Sequence, residues 1–95
     1  MVIGIGRITF GLSDCHSLKD KRKIIKSLIA RVQNAFNASV AEIDLNDVHH
    51  RAGIGFCLVG NDRQTINSKI DKIFEFTEDL QLAEIIDTEM EIINI

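Results

Sequence analysis

The sequence has no proline, no tryptophan, no tyrosine and only two cysteines in 95 residues. Without proline nothing interrupts a helix or bars a segment from the middle of a sheet, so each element can run to the end of its hydrophobic pattern. Cys15 and Cys57 give neither a disulfide framework nor CxxC redox spacing, and both are expected as free thiols in a reducing compartment. The longest run of apolar residues and glycine, Ala52 to Gly60, falls far short of the roughly 20 residues of a membrane helix. The chain opens on the strand-like MVIGIGRITF without a basic leader, so neither export nor membrane insertion is expected and the location follows as cytoplasmic.

Chemical constellations are missing as well. Asp44, Asp47, His49 and His50 lie close together but lack HxH or HxxxH spacing, and adjacent histidines on a strand would point to opposite faces, so no metal is expected. Cys15 and His16 beside Asp14 are chain neighbours without a third orienting group, which describes a loop better than a nucleophile pair. The GIG run at Gly4 to Gly6 sits inside a strand, with no third glycine opening a helix, and is not a dinucleotide fingerprint. No cofactor is called for. With no nucleophile, base and orienter in any recognisable set, the expectation is a protein that is not an enzyme.

What is present is an ordinary globular composition, 45% apolar and 26% charged, on a chain long enough for one domain, residues 1–95, with a modest core. The net charge of −3 conceals an asymmetry. Residues 1–36 hold seven Lys or Arg and two Asp, a balance of +5, whereas residues 37–95 hold four basic and twelve acidic groups, a balance of −8. Such a surface attracts a polyanion on one side only, or pairs with copies of itself.

Val2 to Leu12 alternates as a strand, with Val2, Ile8, Phe10 and Leu12 on one side and Ile3, Ile5, Arg7 and Thr9 on the other. Gly4 and Gly6 share the side of Ile8, where a missing side chain lets a helix approach. Ser17 is placed to cap a helix reaching Phe36, with Asp20 as a shortened capping box and Leu18, Ile25, Leu28, Ile29, Val32 and Phe36 as its core stripe. A short strand from Ala38 to Ile43 leads through a polar turn to a third strand, Ala52 to Val59. Asn61 or Asp62 caps a second helix with the stripe Ile66, Ile70, Ile73, Thr77 and Leu80. The last strand, Ala83 to Ile95, is read with Ile86, Met90 and Ile92 inward and Asp87, Glu89 and Glu91 outward. The order β-α-β-β-α-β predicts an α+β, ferredoxin-like split βαβ domain: a four-stranded antiparallel sheet of order 4-1-3-2 with both helices on one face. In that plait Glu89 falls opposite Arg7, and Ile93 opposite Ile3.

Two surfaces then stand out. Lys19, Lys21, Arg22, Lys23 and Lys26 crowd the start of the first helix, the end at which the macrodipole disfavours cations, and the expected use is contact with RNA phosphates. Against this stands the plainer reading of a solvated helix face. The open face of the sheet offers Ile3, Ile5, Arg7, Val59, Glu89 and Ile93, which predicts a homo-oligomer, most simply a dimer through that face or a sheet edge. This is the alternative function: an interaction module with no nucleic-acid role. Base stacking on the sheet is not expected, since no aromatic faces outward there.

The segments SLKDKR at 17–22, FNASVAE at 36–42 and Asn61-Asp62 opening the second helix resemble the small bacterial YlxP-like family over essentially the whole chain. The resemblance implies a ferredoxin-like fold and no established reaction or ligand. Genes of that family often lie beside those of translation and ribosome-maturation factors, so it implies RNA or the ribosome as partner by association. The chain departs from the family pattern in lacking a proline in the first loop and in carrying His49-His50 where an aromatic-Gln pair is commoner.

Overall fold

Alternation in the first strand decides which side of the sheet is covered. In the computed structural model, which describes residues 1–95, β1 (Val2–Gly11) buries Val2, Ile8 and Phe10 and turns Ile5 and Arg7 to solvent. It is followed by α1 (Leu18–Phe36), β2 (Ser39–Asp44), β3 (Arg51–Gly60), α2 (Arg63–Leu80) and β4 (Glu84–Asn94). β1 pairs antiparallel with both β3 and β4, and β3 with β2, giving the order β2-β3-β1-β4. This is the expected ferredoxin-like plait, with both helices packed on the face that carries Ile8 and Phe10. The expected register holds too, with Arg7 opposite Glu89 and Ile3 opposite Ile93.

The helices start and stop where their capping residues dictate. Ser17 Oγ accepts the N–H of Asp20 at 3.1 Å, while the Asp20 carboxylate accepts the N–H of His16 at 3.4 Å, so the reciprocal half of the box is displaced one residue outward. α1 ends at Asn37, whose φ of 50° is the left-handed conformation that asparagine tolerates. Asp62 caps α2, accepting the N–H of Thr65 at 3.0 Å and its hydroxyl at 2.7 Å. Those bonds, the hydroxyl's first, hold the Asp62 carboxyl below its ordinary range. Between the helices Phe36 and Phe76 meet edge to face at 5.3 Å.

The glycines of β1 open two different spaces. A Cβ on Gly4 would come within 2.5 Å of Ile66 and 2.9 Å of Ile70, so this position lets α2 settle directly on the sheet. Gly6 serves another purpose than the helix approach expected of it: a Cβ there would enter the ring of Phe56, its partner on β3. The ring lies over the glycine and meets Phe74 of α2 edge to face at 5.7 Å.

β4 overturns one expectation. Thr9 pairs with Asp87 but Phe10 pairs with Ile85, so Ile86 is the extra residue of a bulge. The bulge inverts the alternation: Ile85 packs against the core, and Ile86, expected inward, lies over Gly11 on the outer face, 47% exposed. Beyond it Met90 pairs with Gly6 on the helix side, as expected, yet stays 42% exposed on this edge strand.

Gly6→Ala is therefore expected to lower the unfolding free energy by about 1 to 3 kcal/mol through overpacking against Phe56. Gly11→Ala meets only the tip of Ile86 and should change it by less than about 1 kcal/mol. Urea denaturation followed by far-UV circular dichroism separates the two; equal effects would mean that the Phe56 ring does not fill the Gly6 position.

Candidate phosphate-binding surface

The first turns of α1 present their cations as the helical period requires. Lys19, Arg22, Lys23 and Lys26 fall within a sector about 100° wide, and all four are exposed. None is engaged by a carboxylate, because the one salt bridge of the chain lies elsewhere. Asp20, the one acidic residue of the first turn, has its carboxylate directed to His16 N–H. Since Ser17 Oγ occupies the Asp20 N–H, an anion at this end would be held by side chains within the helix field more than by the helix amides.

Lys21 is not part of that surface. Its side chain is 2% exposed, and its ammonium group lies 2.6 Å from Leu45 O, 2.8 Å from Val48 O and 2.8 Å from Glu42 Oε2. It donates hydrogen bonds to both carbonyls. Glu42 Oε2 is shielded from solvent and accepts no hydrogen bond of its own, so the ammonium charge is what neutralises it. The expectation that Lys21 contacts phosphate is overturned because Lys21, Ile25, Leu28 and Val32 form one buried stripe at spacings of four, three and four residues. Lysine holds the top of that stripe because the β2–β3 turn beneath it offers backbone carbonyls instead of an apolar surface.

The second candidate surface is assembled on the outer face of the sheet. Ile3, Ile5 and Arg7 of β1, Val59 of β3 and Glu89 and Ile93 of β4 lie there side by side. Val59 is 64% exposed and Ile5 37%. Arg7 and Glu89 face each other by register, yet their charged ends form no ion pair. None of the five phenylalanines lies on this face: Phe10 and Phe56 are buried, and Phe36, Phe74 and Phe76 pack against the core from the helices.

Other groups noted in the sequence are dispersed. Cys15 is buried; desolvation pushes its thiol pKa up, the carboxylates of Asp20 and Asp14 add to this, and the Lys21 ammonium opposes it. Cys57 is exposed on the outer face. His49 and His50 are exposed in the β2–β3 turn, with ring centroids 5.5 Å apart. A cleft of about 570 Å³ between the β1–α1 loop and the α2–β4 connection includes Leu12, Ile24 and Ile85 in its wall together with Asp14, Glu78 and Glu84, a lining that repels phosphate. No helix is long and apolar enough to cross a membrane.

Comparison with known proteins bears on the family and the fold. Residues 3–90 match the protein family of unknown function DUF503. The chain is 31% identical over 77 residues to the uncharacterized protein YlxP of Bacillus subtilis (strain 168), covering 81% of this chain and 84% of that protein. Among solved structures it is similar to the de novo designed protein Foldit4, with a TM-score of 0.53 and 14% identity, covering 99% of this chain and 97% of the other. It is also similar to the de novo designed protein LFR1 1, which has a ferredoxin fold, with a TM-score of 0.50 and 13% identity over 98% of this chain and 83% of that one. At these identities the two designs speak to the fold alone.

The two kinds of lysine should separate in stability. Lys21→Ala is expected to cost about 2 to 4 kcal/mol, between the penalty of an unsatisfied buried acceptor and that of a broken buried ion pair. Lys19→Ala or Lys23→Ala should stay within about 0.5 kcal/mol. Urea midpoints measure both, and a Lys21→Ala protein as stable as Lys19→Ala would refute the buried node. Thiol labelling gives a second check: in dilute native solution Cys57 should react with an aromatic disulfide reagent while Cys15 stays unmodified until the chain is unfolded.

Proposed function

For this chain, which belongs to the DUF503 family of proteins of unknown function, we propose a role as a non-catalytic accessory protein of the cytoplasm that contacts RNA, with ribosomal RNA the foremost candidate, through Lys19, Arg22, Lys23 and Lys26. The observation that carries this reading is four exposed, unpaired cations grouped at the positive end of a helix, on a chain whose net charge is −3. A cluster placed against the helix field, with no carboxylate to relieve it, is suited to an anion supplied from outside. The rest of the surface is less suited to RNA. α2 exposes Asp71, Glu75, Glu78 and Asp79, and the sheet presents a row of Asp87, Glu89 and Glu91 without an aromatic on which a base could stack.

Contact of this kind is electrostatic and selects weakly among sequences. Three or four phosphates neutralised on a single strand give a log–log salt slope of roughly −2 to −3. The test is binding of RNA or of ribosomal subunits against salt, for the native protein and for the combined Lys19→Ala, Arg22→Ala, Lys23→Ala variant. The native protein is expected to show that slope, and the variant to lose most of its affinity and flatten. A native protein that does not bind, or a variant with unchanged affinity and slope, would reduce the patch to a solvated helix face.

A further inference from the structure

We propose that the outer face of the sheet is the interface of a homodimer, formed face to face with a second copy of this chain. The inference is independent of the RNA reading, because the α1 cations lie on the opposite, helix-covered side. Three observations carry it. First, the face exposes an apolar side chain on each of three strands, Ile5 of β1, Ile43 of β2 and Val59 of β3, with Ile43 lying over Gly55. Charged groups border them: Arg7 beside Ile5 on β1, Asp44 over Gly53 at the β2 edge, and the row Asp87, Glu89 and Glu91 of the edge strand β4. An apolar centre with a charged rim is the anatomy of a specific interface.

Second, the face carries both signs of charge and leaves them unpaired. Arg7 has no ion-pair partner although Glu89 and Glu91 line the same shallow groove. A two-fold operation brings the arginine of each protomer toward the acidic row of the other, so one contact is satisfied twice. The sheet edges do not offer this. Antiparallel pairing of β4 with its copy would set two acidic rows side by side, which is destabilising. β2 has six residues and is bulged between Glu42 and Asp44, too short and irregular for a long ladder.

Third, the area reaches that of specific interfaces. Three strands of about ten residues and the six-residue β2, spaced by about 4.8 Å and rising about 3.4 Å per residue, give roughly 590 Å² of face per protomer. The pair would bury about 1,200 Å², at the lower end of the range of about 1,200 to 2,000 Å² for stable specific complexes.

The test is mass by light scattering and sedimentation at about 10 and about 300 µM, where mass action separates association from its absence. The native protein is expected at about twice its 10.7 kDa chain mass at the higher concentration, with labelling of Cys57 slowing as concentration rises. Val59→Asp, at a position exposed enough to fold unaided, should raise the dimer dissociation constant at least about tenfold. Arg7→Glu should do likewise, and Arg7→Glu with Glu89→Arg should restore the native value to within a few-fold. The Lys19→Ala, Arg22→Ala, Lys23→Ala variant should dimerise as the native protein does, so the outcome does not depend on RNA binding. A native protein that stays monomeric at about 300 µM would mean that another protein or nothing covers the face, and would overturn the proposal. So would a Val59→Asp dimer of unchanged affinity, or a charge swap that restores nothing.

Discussion

One ammonium group holds three parts of the chain at a single point. Lys21 projects from the first turns of α1 onto Glu42 of β2 and onto the carbonyls of Leu45 and Val48 in the turn that follows. That turn includes Leu45 at a φ of 59°, a conformation disfavoured for a residue with a branched side chain, and the Leu45 carbonyl also accepts the N–H of Val48 at 3.0 Å. The turn is thus closed by its own backbone bond and pinned from outside by the lysine. Burying a charge carries a desolvation penalty that no apolar contact incurs, and it is offset here because the carboxylate and both carbonyls are supplied at once. The gain is in specification: α1 can rotate about its axis only by leaving a charge unpaired in the core.

That fixed rotation is what makes the helix surface usable. With Lys21 turned inward, the helical period directs Lys19, Arg22, Lys23 and Lys26 outward together, and the same helix is structural on one side and free on the other. The charge asymmetry of the sequence becomes a spatial one, with the exposed carboxylates carried mainly by α2 and β4, of which Glu78 and Glu84 approach the start of α1 across the cleft that Ile24 also lines. A polyanion approaching this molecule meets attraction on one surface and repulsion over much of the remainder.

Most of the architecture was legible because one face of every element is buried. Alternation in β1, the stripes of both helices and the cap at Ser17 each point to a single arrangement, and the Arg7 to Glu89 register follows from it. The side of Ile86 is not legible from alternation, because period-two reasoning assumes an unbroken ladder and the extra residue shows only once β4 is paired with β1. Lys21 was misread because it is chemically identical to its neighbours. The signal lies in its spacing from Ile25, Leu28 and Val32, in a stripe whose first member answers carbonyls in place of apolar side chains. Gly6 shows the same limit, since its space is claimed by a ring on another strand.

The position of β1 between β3 and β4 also governs the order of events while the chain is being made. Its pairing with β3 can close once residue 60 has left the ribosome, but its other edge must wait for β4, where Val2 meets Asn94. Throughout that interval the edge of β1 that β4 will take is an open ladder, and an open ladder accepts any extended chain that drifts past. The segment that completes it is the most acidic strand of the molecule, with carboxylates at Glu84, Asp87, Glu89 and Glu91. A late strand of that charge pairs readily with an edge carrying Arg7 and poorly with further copies of itself.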